Sequence, residues 1–230
     1  VVDPVAILVR SADLHKTEIP ATVRAIGRAG AGTNNIPVAA MSARGVPVFN
    51  APGANANAVK ELVLAGMLMA ARQIAPALRF VGALDTGTPD LDKAVEEGKK
   101  AFAGYELAGQ TLGIIGLGKI GCLVADAAIK LGMNVLGYDP DITVDAAWSL
   151  PSQVRRATSV NDVLKQAQFV TLHVPLVEAT RHLVNDANIG LMRPGAVLLN
   201  FSREGVVGDS AVLDALDANR LGQYVCDFPG

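Results

Sequence analysis

Two groups of residues in this chain have types and spacings that could do chemistry. The first lies in TLGIIGLGKIG, residues 111–121, where Gly116-x-Gly118-x-x-Gly121 follows an apolar run and opens a helical pattern. That arrangement suits a pyrophosphate. The first glycine allows a tight turn, the second lets the backbone approach the phosphates, and the third brings the helix close to the strand. The helix N-terminus adds free N–H groups and the positive end of its dipole. Asp139 ends the next apolar run, 18 residues after Gly121. A carboxylate there accepts hydrogen bonds from both ribose hydroxyls and repels a 2′-phosphate, which favours NAD over NADP. The alternative is a glycine-rich turn that serves packing only.

The second group is GAVLLNFSREGVV, residues 195–207, which sets Arg203 at the mouth of an apolar strand. One reading is a surface ion pair. The other is a catalytic or anion-binding arginine, because a guanidinium grips a carboxylate in a bidentate fork and stabilises a developing alkoxide. His15, His173 and His182 lack metal-ligand spacing, so no metal site is expected. His173 ends a strand and reads as a structural or cofactor-orienting imidazole, or as an acid/base. Lys60 interrupts an apolar helix and reads as a binder of a substrate phosphate or as a snorkelling lysine.

The elements that must position these residues alternate. Short apolar strands are expected at 5–10, 24–29, 46–49, 111–115, 134–138, 168–173, 196–200 and 223–227. Helices are expected at 37–44, 56–75, 119–131, 159–166, 186–191 and 209–218, and a polar loop with one helical segment (91–101) at 85–104. Alternating β and α with apolar strands is the pattern of a parallel α/β sheet. The turn NAPGAN at 50–55 is the best domain boundary.

The chain has 230 residues, half of them hydrophobic, and a net charge of −2 with both signs interspersed. This is enough for a sizeable core and gives no nucleic-acid or membrane surface. The apolar run at 62–71 is too short for a membrane span. The start lacks a basic lead and a cleavage site. Cys122 and Cys226 have no CxxC partner and read as reduced, buried thiols of a cytoplasmic protein. Both ends read as cut rather than finished.

The chain resembles the D-isomer-specific 2-hydroxyacid dehydrogenases. The likeness rests on VRS at 9–11, GRAGAGTNNI at 27–36, VFNAPGANANAVKELV at 48–63, LAGQTLGIIGLGKIG at 107–121, HVPL at 173–176, NFSREG at 200–205 and the final CDF. NNIPV and GANANAVKEL look closest to the branch that acts on phosphoglycerate. The resemblance implies a Rossmann-like doubly wound nucleotide domain at 53–230 and a partial flavodoxin-like substrate domain at 1–52, with the active site between them. It implies NAD-dependent oxidation of D-3-phosphoglycerate, a step of serine biosynthesis. The alternatives are a glyoxylate or hydroxypyruvate reductase, or a non-catalytic NAD(H)-binding regulator. It also implies a homodimer or homotetramer.

By the same resemblance, Gly116, Gly118, Lys119, Ile120 and Gly121 form the phosphate loop, and Asp139 holds the adenosine ribose. His173, Val174 and Pro175 border the cofactor. Phe201 and Ser202 sit on its nicotinamide side, and Asp227 bonds the carboxamide. Arg203 holds the carboxylate of the 2-hydroxy acid. Arg10, Ala31 and Gly32 face the substrate, and Lys60 its phosphate. The family's acid–base pair, a histidine with a glutamate, falls beyond residue 230. Glu204 stands where the family usually has glycine, so it is expected to pair with Arg203 or tilt its loop.

Overall fold

The computed structural model describes residues 3–87 and 89–228. The chain divides into two compact units, one up to Ala58 and one from Val59. The division falls in the first turn of a helix, a few residues past the NAPGAN turn.

The first unit holds β1 (Ala6–Val9), β2 (Ala25–Arg28), α1 (Val38–Ala43) and β3 (Val48–Phe49). The strands form a parallel sheet in the order β1-β2-β3. Its core is Val9, Leu14, Val23, Ile26, Ile36, Met41 and Val46. Leu8 is 90% exposed and Phe49 62%, so only one face of this sheet is packed.

The second unit carries α2 (Ala56–Ala71), α3 (Ile74–Gly82), α4 (Leu91–Gly98), β4 (Thr111–Ile115), α5 (Lys119–Lys130), β5 (Asn134–Tyr138), α6 (Val144–Ser149), β6 (Arg155–Arg156), α7 (Val160–Gln166), β7 (Phe169–Leu172), β8 (Ala196–Asn200), α8 (Asp209–Asp217) and β9 (Leu221–Cys226). Its six parallel strands run in the order β6-β5-β4-β7-β8-β9, the doubly wound order. Helices cover both faces, which is why β7 and β8 are buried at every residue. Val170, Leu172 and Leu198 pack on one face with Val163, Leu164 and Val212. Phe169, Val197 and Leu199 pack on the other with Val63, Met67 and Val124. Each large side chain so buried contributes roughly 1.5–3 kcal/mol.

Several local expectations are corrected. The helix expected over 56–75 breaks at Arg72–Gln73, where Gln73 adopts φ 53°, and a further helix, α3, follows at a 65° bend. Pro76 is the reason: in a continuous helix its ring would clash with the carbonyl of Arg72, four residues back. The helix expected at 186–191 is only a 3-10 turn at Ile189–Leu191. Asn185 and Asn188 divert its backbone: Ala187 N donates to Asn185 Oδ1 (2.9 Å), and Asn188 Nδ2 donates to the Leu183 carbonyl (2.8 Å). The short elements α6 and β6 were not expected. Thr143 starts α6 by accepting a bond from Ala146 N at 3.2 Å. Cys122 is buried, but Cys226 is only half-buried.

Candidate functional site

In the second unit, strand register places the candidate residues in one line. Tyr138, Ile115, Leu172, Asn200 and Cys226 are mutual partners across β5, β4, β7, β8 and β9. The next residue on each strand is Asp139, Gly116, His173, Phe201 and Asp227. All five therefore leave the sheet side by side at its carboxyl edge, where open α/β sheets bind ligands.

The glycine loop is shaped by three different constraints. Gly116 has φ +94°, and a Cβ on it would lie 2.5 Å from the His173 carbonyl oxygen. A Cβ on Gly121 would lie 2.1 Å from the Gly116 carbonyl oxygen, so the start of α5 sits directly on the turn. Gly118 is different: a Cβ there would meet nothing within 4 Å. Its space opens outward, at the N-cap of a 12-residue helix. Lys119 is exposed and Ile120 half-buried beside it.

The Asp139 carboxylate is tied to this loop. Its Oδ2 accepts from Leu117 N at 2.8 Å and its Oδ1 from Asp141 N at 3.0 Å. Each carboxylate oxygen keeps a lone pair for a further donor. Below the loop, Cys122 Sγ donates to the Leu117 carbonyl at 3.2 Å. Burial pushes its thiol pKa up; Lys119 opposes this and Asp139 reinforces it. The open space at Gly118, the helix terminus and the spare acceptors of Asp139 fit a dinucleotide.

His173 is half-buried, with Nε2 3.0 Å from Thr171 Oγ1 and Nδ1 shut away from solvent without a partner among the described residues. Desolvation lowers its pKa to about 4, so the imidazole is neutral at pH 7. The unfolded chain then binds the proton more tightly than the folded one. Stability contributed by neutral His173 is complete above about pH 6.5 and lost as pH falls towards 4, by about 3 kcal/mol. Thermal unfolding followed from pH 7 to 4 is expected to show this acid loss, and His173→Gln to reduce it. An unchanged acid limb in the variant would remove His173 as its source.

Val174 borders Gly116: its Cγ1 would stand 3.1 Å from a Cβ there. Pro175 is exposed, and its carbonyl accepts from Thr180 Oγ1. Phe201 and Ser202 are half-buried, and Asp227 is exposed. Arg203 is exposed and forms no ion pair with a described residue. Among the described residues, its guanidinium donates from Nη1 to the Ser202 carbonyl at 2.6 Å. The surface ion pair considered for Arg203 is therefore not formed among the described residues. Nor is the expected pairing with Glu204, which instead opens a 3-10 turn (Glu204–Val206) and lines a separate cleft over α8.

In the first unit, Arg10 follows β1, and Ala31 and Gly32 lie in the loop after β2, again at a carboxyl edge. The loop is held by Asn50 Nδ2 to the Ala31 carbonyl (2.7 Å) and Ala51 N to the Gly30 carbonyl (3.0 Å). Arg10 is exposed. Lys60, half-buried on α2, already has an interaction partner.

Three residues escaped the sequence reading. Arg28 has a buried Nε without a partner among the described residues, and its guanidinium occupies the space above Gly30 that a Cβ would fill. An arginine two residues before GAG was the available signal. Asn200 and Tyr224, which order the Arg203 turn, gave no signal, because their contact spans two strands.

Comparison with known proteins agrees with this geometry. Residues 64–229 match the family model described as "D-isomer specific 2-hydroxyacid dehydrogenase, NAD binding domain". A D-3-phosphoglycerate dehydrogenase of Methanocaldococcus jannaschii is 40% identical over 199 residues, covering 86% of this chain and 36% of the relative. A hydroxypyruvate reductase of Thermotoga maritima is 36% identical, covering 86% of this chain and 60% of that protein. The D-lactate dehydrogenase of Aquifex aeolicus, solved with NAD and lactic acid, superposes with a TM-score of 0.79 at 25% identity, covering 97% of this chain and 64% of that one. The chain thus spans from about a third to two thirds of the length of these proteins. A doubly wound sheet with an open glycine loop, matched along most of its length by one family model, places this chain in the D-isomer-specific 2-hydroxyacid dehydrogenase family.

Proposed function

We propose that the full-length protein is an NAD-dependent dehydrogenase that oxidises D-3-phosphoglycerate to 3-phosphohydroxypyruvate. The observation that carries the dehydrogenase reading is the single line of Asp139, Gly116, His173, Phe201 and Asp227 beyond the strand ends, with Arg203 two residues further on. Bound NAD supplies a hydride acceptor. The chain's own residues bind and orient. The backbone from Gly116 to Gly121 faces the pyrophosphate, with Lys119 and Ile120 at its rim. Asp139 accepts from the ribose hydroxyls. Val174, Pro175, Phe201 and Ser202 border the nicotinamide, and Asp227 accepts from its carboxamide. Arg203 holds the carboxylate and stabilises charge on the C2 oxygen.

His173 suits orientation better than proton transfer. A pKa of about 4 makes it a weak base at neutral pH, and its Nδ1 is closed to solvent. The exposed apolar residues Leu62, Leu68, Met69, Ile74, Leu78 and Val81 on α2 and α3 support the reading of a homo-oligomer.

Asp139→Ala is expected to weaken NAD binding about 10- to 100-fold, the loss of charge-assisted bonds to the ribose. It should also narrow the gap between NAD and NADP in calorimetric titration. Equal NAD affinity in the variant would remove Asp139 from the site.

The phosphorylated substrate rests on the relatives' names and on Lys60. A panel of D-glycerate, hydroxypyruvate and D-3-phosphoglycerate is expected to give kcat/KM about 100-fold higher for the phosphorylated acid, the worth of a charged contact to phosphate. Lys60→Met should raise KM for that substrate alone. Equal rates on hydroxypyruvate would instead support the reductase reading, which the 36% identical Thermotoga relative favours.

A further inference from the structure

We propose that Asn200 and Tyr224 form a clamp that positions Arg203, with Asn200 as the positioning residue and Tyr224 as its anchor on the neighbouring strand. The inference rests on the dehydrogenase reading, in which Arg203 meets the substrate.

Asn200 is fully buried at the end of β8, where an unsatisfied amide would be costly. Its amide makes four contacts. Oδ1 accepts from Ser202 N at 3.1 Å and from Ser202 Oγ at 2.8 Å. Nδ2 donates to the Arg203 carbonyl at 2.9 Å and to Tyr224 Oη at 3.3 Å. The first three close the turn from 200 to 203 on itself. The fourth ties that turn to β9, so Arg203 does not leave the sheet on a free loop. The Arg203 guanidinium adds a bond to the Ser202 carbonyl at 2.6 Å, which sets the direction of the side chain.

An aspartate could not replace Asn200, because it has no donor for the Arg203 carbonyl and would set a second acceptor against it. Tyr224 is suited to its part. Its ring lines the cleft of about 490 Å³ between α8 and β9, and its hydroxyl reaches Asn200. Burial holds that hydroxyl protonated, with a pKa pushed up to about 12. No bond to a reacting atom is needed. The pair acts by fixing the place from which the guanidinium starts, and a displacement of about 1 Å at such a group costs on the order of 10²-fold in rate.

The test uses the full-length protein with Arg203→Ala, Tyr224→Phe and Asn200→Asp. Tyr224→Phe keeps the ring and should fold normally. It is expected to lower kcat/KM about five- to tenfold, the worth of one ordinary hydrogen bond, with NADH affinity and the melting midpoint nearly unchanged. Asn200→Asp keeps acceptors for Ser202 but loses both donors, and about a 100-fold fall is expected. A merely structural pair would lower NADH affinity or melting midpoint in step with activity, and that result overturns the inference. So does a Tyr224→Phe variant with unchanged kcat/KM while Arg203→Ala is inactive. If Arg203→Ala keeps full activity, the reading of Arg203 itself falls, and the clamp with it.

Discussion

Arg203→Ala is expected to lower kcat/KM of the full-length protein about 10³-fold while leaving NADH affinity within about twofold. The size follows from what the side chain can do. Its guanidinium is exposed and paired with no described carboxylate, so its fork is available to a ligand. It starts from a turn whose geometry is fixed by a buried asparagine. In a partly dehydrated site, such a cation stabilises the carboxylate in the ground state and the C2 oxygen as charge develops on it. Only the second effect raises kcat. Arg203→Lys keeps the charge but loses the planar fork, so it should recover less than the full loss. Steady-state kinetics beside a fluorescence titration of NADH separate the two effects. Loss of NADH binding equal to the loss of kcat/KM would assign Arg203 to the cofactor rather than the substrate.

The second large effect separates two glycines three residues apart. Gly118→Val should fold with a melting midpoint close to the parent and lose NADH binding by more than about 100-fold. At Gly118 a Cβ meets no protein atom within 4 Å, and its φ of −78° suits any residue. The added side chain would fill only the space beside the helix N-terminus. Gly121→Ala should do the reverse first. Its Cβ would stand 2.1 Å from the Gly116 carbonyl oxygen, so α5 must move away from the turn. Overpacking of this kind costs about 1–3 kcal/mol or more and would lower the midpoint by several degrees. If Gly118→Val bound NADH as well as the parent, the loop would be a packing turn, and the dinucleotide reading would fall with it.

Much of this site was legible because its signals are local. A glycine run between a strand and a helix declares its turn within six residues, Gly116–Gly121. Apolar runs of four to six residues mark parallel strands, and eight of the nine strands among the described residues stand close to where those runs lie. Less legible were features settled by competition between neighbours. Pro76 breaks the helix at Arg72, not at the proline itself, because the clash falls four residues back. The helix expected at 186–191 loses to the side-chain bonds of Asn185 and Asn188. The two-residue strand β6 exists only because β5 offers it an edge.

The sequence alone determined the chemical inventory: the three glycines, the carboxylate of Asp139, the arginine just past an apolar strand and the alternating α/β pattern that supports them. Each follows from residue type and short spacing. Tertiary structure decided which of these stand together. Asp139, Gly116, His173, Phe201 and Asp227 are separated by up to 111 positions, yet they are neighbours because the registers of five parallel strands coincide at their ends. It also decided that Arg203 is free of Glu204, that Arg28 lies over Gly30, and that Asn200 reaches Tyr224 on the next strand. The reason is physical: a turn is dictated by the residues within it, whereas strand register is set by the burial of two whole faces of a sheet.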